Sequence, residues 1–435
     1  MILIYSKTQT ERLRYITRHI FDRYLGIPSR ICTDSSVFEL SKETKLNYSD
    51  TEMETVPCIV PHSLLFETDI RPQKVEISIC EDMPVCFADQ QTKDAFPFDV
   101  FAACFFFLSR YEEYLPYKED EHQRYDGSNS LAVQHHFLHL CVVDCWIRKL
   151  SMFLKTHYPN IVFAERKFTF IPTSDIDMAY AYRHKGFLRN MASYVRSAMR
   201  LDVKQIVRQT KVLLRCKKDP YDTFDYLSGL HRLYGLNPCY FFLLAKRRSA
   251  YDKNTHRSNK SFRRLIRSLS NSCDIGLHTS YYVKDDPDRI DDELSYLRDI
   301  LCEFPVKNRH HYLRFSLPES YRLLESRGIK EEYSMGYVNS LGFRAGTCTP
   351  FLFFDLEQNR SSNMQIYPLL GMENALRHIP EATQIVDAFI PYIEEVRRYQ
   401  GVLITLFHNQ SFGDGKDGKK WRTAYEQLLK YIHQD

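Results

Sequence analysis

Two aspartates two residues apart, Asp175 and Asp177, close an apolar run that begins at Phe168. Further along, His278-Thr279-Ser280 closes a run from Asp274, and His408-Asn409 closes one from Val402. Each has a bland reading alone. An Asp after a strand caps the next helix or makes an Asx-turn, and a lone His is as a rule a hydrogen-bonded residue. Carboxylates and imidazoles brought to one rim are different, because together they accept and return protons, and such convergence is what a catalytic pocket requires.

The elements that must position these residues alternate. From Lys167 onward, strands are expected at Phe168–Pro172, Cys239–Leu244, Asp274–His278, His311–Phe315, Tyr367–Leu370 and Val402–His408, with helical segments between nearly every pair. This rhythm implies a largely parallel sheet or barrel, whose chemistry is carried at the C-terminal strand ends and the loops after them. Residues 1–165 read as a smaller α+β domain. It has a strand at Ile2–Tyr5, helical spacing over Thr10–Leu25, and short apolar runs at Cys58–Val60 and Val75–Cys80. A core helix follows Asp99, a second spans about Phe137–Leu154, and the polar stretch Tyr117–Asn129 reads as a loop. This first part shows no catalytic constellation, and residues 166–435 are expected to form the second domain.

The bulk properties agree with two folded domains. The chain has 435 residues, 44% hydrophobic and 26% charged, a composition typical of globular proteins rather than disordered or fibrous ones. Met1–Lys7 lacks the basic lead and long apolar core of a signal peptide, so a cytoplasmic location is expected. The longest apolar run, Val100–Leu108, is far short of the roughly 20 residues that span a bilayer. Twelve cysteines without a C-x-x-C pair indicate buried thiols, not a zinc ribbon or redox motif. A net charge of +4 implies no nucleic-acid partner.

The order of the strand-end residues resembles the polysaccharide deacetylase family (the NodB-homology or carbohydrate esterase family 4 domain) over residues 166–435. Thr173-Ser174-Asp175-Ile176-Asp177 resembles its first motif as a T-x-D-x-D variant, and His278-Thr279-Ser280 the start of its H-S/T-x-x-H motif. Arg309-His310-His311-Tyr312-Leu313-Arg314-Phe315 occupies the place of the arginine-containing motif, and Leu406-Phe407-His408 that of the closing L-x-H. Tyr333–Tyr337 and Gly342–Thr347 are similar to a bacterial subgroup that carries an extra N-terminal domain. The resemblance implies a distorted (β/α) barrel that removes acetyl groups from an N-acetylated glycan or glycan precursor with a divalent metal ion, zinc by preference.

In that scheme Asp177 and His278 are metal ligands, Asp175 is the general base, and His408 the general acid. Arg309 or Arg314 orients Asp175 and pairs its charge. One departure is prominent: the second histidine of the second motif is replaced by Tyr282, a phenol and a poor zinc ligand at neutral pH. The third ligand is then expected from His310 or His311, or from water. Glu332 and Glu373 stand where the subgroup has aspartates. Tyr282 also opens the alternative of a catalytically silent, glycan-binding pseudoenzyme.

Two further signals stand outside this scheme. Gly413-Asp414-Gly415-Lys416-Asp417-Gly418 is a literal G-x-G-x-x-G, but too little chain follows for a dinucleotide-binding βαβ unit. Arg196, Arg200, Lys204, Arg208, Lys211 and Arg215 recur at helical spacing as one basic stripe. Its bland reading is a solvated face; its sharper one is contact with an anionic membrane surface, which would make the protein peripheral at the inner membrane face or a membrane-surface component of glycan biosynthesis.

Overall fold

The computed structural model describes residues 1–88 and 95–434. At the N-terminus three short parallel strands form a sheet in the order β2-β1-β3, where β1 is Ile2–Tyr5, β2 Ser29–Cys32 and β3 Thr44–Asn47. A two-stranded hairpin follows, β4 (Ser78–Cys80) with β5 (Met83–Val85). The helix Val100–Leu108 is buried along its whole length, as a run of apolar side chains all round the helix demands. Asp99 caps it by accepting from the Phe101 and Ala102 amides, and its other oxygen accepts from Tyr48 Oη.

The rest of the chain builds a nine-stranded sheet of β6 (Thr169–Ile176), β7 (Cys239–Leu243), β8 (Asp274–Thr279), β9 (Lys307–His310), β10 (Glu331–Met335), β11 (Phe351–Asp355), β12 (Arg360–Pro368), β13 (Gly371–Met372) and β14 (Val402–His408). Its order is β11-β12-β10-β9-β8-β7-β6-β14-β13. All neighbours are parallel except β11 and β12. The central strands read as near-continuous apolar runs because both faces are buried, one of them against side chains of neighbouring strands such as Phe241, Tyr333 and Leu406. The expected distorted barrel is, in the described residues, a curled half-barrel sheet that does not close, with β11 and β13 as its edges.

Two strand boundaries differ from the sequence expectation, with consequences for the site. The strand expected at His311–Phe315 lies earlier, at Lys307–His310, so His311 falls just beyond its C-terminal end. Aromatic and apolar residues 312–315 mimic a strand, yet Tyr312 and Leu313 take left-handed backbone angles (φ 61° and 50°) that no strand allows. The strand expected at Tyr367–Leu370 is the end of a longer one, Arg360–Pro368, whose polar alternation hid its first half.

One core runs through both parts of the chain. Phe105 of the buried helix meets Phe354 of β11 at 5.1 Å between ring centroids, and Tyr15 Oη donates to the Leu352 carbonyl. A buried charge cluster joins them as well: Glu113 accepts from Arg344 Nη2 (2.6 Å) and Arg110 Nε (2.7 Å).

Candidate active site

Strand register assembles the site. β14 and β6 pair so that His408 stands opposite Asp175, and β8 and β9 pair His278 with Arg309. The ends of β14, β6, β8 and β9, with β7 between the two pairs, thus present two carboxylates, two imidazoles and a guanidinium at one rim. His311, one residue past β9, adds a third imidazole.

Asp177, His278 and His311 form the tightest group, each offering a ligand atom within 4.8 Å of the others. His278 Nε2 lies 3.4 Å and His311 Nε2 3.6 Å from Asp177 Oδ1. The opposite face of each ring is held: His278 Nδ1 donates to the Arg309 carbonyl and His311 Nδ1 to Asp252 Oδ1, both at 2.9 Å. Such bonds fix the tautomer that turns Nε2 inward. His278 Nε2 and Asp177 Oδ1 are buried and lack a hydrogen-bond partner, a costly state unless a ligand completes it. This donor set, one carboxylate and two imidazoles with carboxylate or carbonyl support behind them, fits a divalent ion of the zinc type.

Asp175 stands beside that group, its Oδ2 3.5 Å from His278 Nε2. Its Oδ1 accepts from Arg309 Nη1 at 2.9 Å, and Arg309 is itself locked by bonds to Thr173 Oγ1 and the Tyr333 carbonyl. His408 Nε2 lies 3.6 Å from Asp177 Oδ2, while its Nδ1 donates to Glu373 Oε1 at 2.7 Å. Glu373 also accepts from Ser411 Oγ.

The carboxylates draw positive charge into this pocket. Burial opposes a charge on His311, yet Asp177 and Asp252 push its pKa up to about 9; burial likewise opposes His408, and Glu373 and Asp177 push it up to about 10. Burial works against Asp177 too, but the facing imidazoles His311 and His408 hold its carboxyl well below the usual range.

Four residues named from the sequence lie elsewhere. Arg314 does not reach Asp175: it forks onto Asp285 and donates to the Tyr281 and His122 carbonyls, tying loops together. His310 is buried beside Phe315 outside the ligand group, and burial with nearby His278 lowers its pKa to about 3. The Tyr282 ring lies beneath the Arg289 guanidinium and edge-on to Tyr281. Glu332 accepts from Tyr321 Oη and the Ser334 amide within the fold.

Two participants had no legible signal in the sequence. Asp252, fully buried in the loop after β7, follows no motif, and only tertiary packing brings it behind His311. His122 comes from the polar stretch expected as a plain loop. Its Nδ1 meets Tyr281 Oη at 3.0 Å, and with Tyr251 and Tyr312 it builds an aromatic wall at the rim.

Residues 2–159 match a family described as "Family of unknown function (DUF7033)". No curated protein matches the chain. Among solved structures the chain is similar to a Mycobacterium smegmatis protein assigned as a polysaccharide deacetylase (10% identity, TM-score 0.39, covering 61% of this chain and 85% of that one). It is also similar to Puue allantoinase (12%, 0.37, 63% and 86%) and to a Bacillus anthracis pseudoenzyme of the CE4 family (7%, 0.31, 61% and 60%). A fold does not fix a chemistry; the side chains at the strand ends do.

Proposed function

We propose that this protein hydrolyses the N-acetyl group of an N-acetylated glycan or glycan precursor, on a divalent metal held by Asp177, His278 and His311. The observation that carries this reading is the pair of buried, unpartnered atoms, His278 Nε2 and Asp177 Oδ1, converging with His311 Nε2. His311 fills the corner that Tyr282 leaves vacant, and this supports an active enzyme over a silent one. Bound there, the metal would polarise the amide carbonyl and lower the pKa of water.

The chain's own groups do the proton work. Asp175, aimed by Arg309, accepts the proton of the attacking water. His408, whose Glu373 and Asp177 neighbours favour its protonated form, gives a proton to the departing amine as the C–N bond breaks. The products are acetate and a free amino sugar. Flat rings at the rim, Tyr251 stacked on Tyr281 at 4.0 Å and the part-exposed Tyr312, suit the apolar face of a sugar ring and support the substrate class.

The test pairs metal analysis with acetate release from N-acetylglucosamine oligomers. Wild type is expected to bind zinc stoichiometrically and release acetate. Asp175→Asn should keep the metal and lose about a hundredfold or more in rate, as for a lost general base. A wild type that holds metal yet releases no acetate from any N-acetylated sugar would overturn the reading.

A further inference from the structure

We infer that the helical pair inserted between β6 and β7 docks this protein on an anionic lipid bilayer. The expected single basic helix is two helices, Phe187–Met199 and Val203–Leu213, reversing at Leu201, whose backbone is left-handed (φ 54°). Their packing is inside out. The faces turned to each other are polar: Ser193 Oγ donates to Gln209 Oε1, Gln209 Nε2 donates to the Asn190 carbonyl, and the hydroxyls of Tyr194 and Thr210 meet at 2.8 Å.

The faces turned outward are apolar. Ten of the nineteen large apolar side chains exposed among the described residues fall between 187 and 214, whereas the others stand singly or in small groups along the chain. Phe187, Leu188, Met199 and Leu201 are 76%, 81%, 81% and 86% exposed. A patch of this kind rimmed by polar residues marks an interaction site.

Charge names the occupant. Residues 185–218 hold ten lysines and arginines and one acid, Asp202, which is spent capping the second helix through the Gln205 amide. Arg196, Arg200, Lys204 and Lys211 are exposed and have no acidic partner among the described residues. A second copy of this chain would set this positive surface against itself, which opposes self-association. An anionic bilayer matches both features, taking the apolar side chains into its headgroup and acyl boundary and the cations onto its phosphates. No helix among the described residues is long and apolar enough to cross a membrane, and the two helices of the pair have only 13 and 11 residues, a length suited to lying on a surface.

The docking element is fixed to the site's own rim. Asp219 staples its base by accepting from the Ala181, Tyr182 and Arg183 amides, and Asp414, in the loop after β14, pairs with Lys217 at 2.7 Å and Arg208 at 3.7 Å. Between the pair and that loop lies a cavity of about 500 Å³, lined by Tyr182, Arg208, Tyr221, Arg377 and by Ser411, which bonds Glu373 behind His408. Docking thus brings the pocket to the bilayer surface and assigns it a membrane-attached glycan. The choice of substrate rests on the deacetylase reading; the docking does not.

The test is flotation of the full-length protein with vesicles of equal parts phosphatidylglycerol and phosphatidylcholine, and with phosphatidylcholine alone. Binding is expected only to the anionic vesicles, weakening with salt. Phe187→Ser with Met199→Ser, and separately Arg200→Gln with Lys204→Gln, should each weaken it by about tenfold or more, since apolar burial and charge both contribute. These positions are exposed, so unchanged thermal unfolding and zinc content will show that the fold is intact. No flotation at low salt overturns the inference, as does flotation indifferent to the apolar pair. A soluble dimer that the apolar pair dissociates, without vesicle binding, would give the face to a second copy.

Discussion

At the scale of single residues, the groups behind the site matter as much as those facing it. Asp252 touches none of the candidate ligand atoms on the pocket side, yet it orients the His311 ring, and it also accepts from the Tyr281 amide. Asp252→Asn is expected to weaken zinc affinity by about 10–100-fold, the usual cost of losing a carboxylate behind a metal-binding histidine. His310→Ala, by contrast, should leave affinity unchanged, because that ring lies outside the ligand group. Competition against a zinc-sensitive dye would measure both, and an affinity loss in His310→Ala would show that the ligand set is wrong.

At the scale of elements, the position of His278 depends on how closely β8 lies against β7 and β9. Gly276 sits two residues before it, where an added Cβ would meet the Phe241 ring at 2.5 Å and the Lys307 carbonyl at 3.0 Å. The neighbours are a packed ring and a backbone, so neither can give way cheaply. Phe241 also lies beneath the Arg309 guanidinium, at 4.5 Å. Gly276→Ala should therefore cost about 1–3 kcal/mol by overpacking and disturb the His278 and Arg309 pair together. Chemical denaturation would give the stability and zinc titration the site. Wild-type values for both would mean that the strand relaxes without moving its end.

At the scale of the molecule, the first part of the chain is joined to the sheet through a buried charge cluster. Removing one partner of such a cluster strands the other charge in the interior. Glu113→Ala, which leaves the buried Arg344 without a carboxylate while Arg110 keeps Glu112, is expected to destabilise by about 3–5 kcal/mol. Equilibrium unfolding of this variant, of Arg344→Ala and of the pair would isolate the coupling, and additive losses would show that the two do not act as one unit.

These three scales were unequally legible in the sequence. Asp175, Asp177, His278 and His408 could be found because strand ends are marked by local signals: an apolar run stops and polar residues begin. Parallel β/α alternation could be read for the same reason, since burial on two faces writes itself into consecutive residues. The choice of His311 over His310 depended on where β9 stops, and the aromatic residues after it imitate a strand whose backbone only the folded chain reveals. Asp252, His122 and the Glu113–Arg344 pair lie far from their partners along the chain, so no local pattern could announce them. The basic residues near 196–215 were visible as composition, but the reversal at Leu201 and the outward turn of the apolar faces are set by how two helices pack. Residue types and local periodicity were thus decided by the sequence alone. Register, ring orientation and which face meets solvent were decided by tertiary structure, because they depend on contacts between segments whose separation the chain does not encode locally.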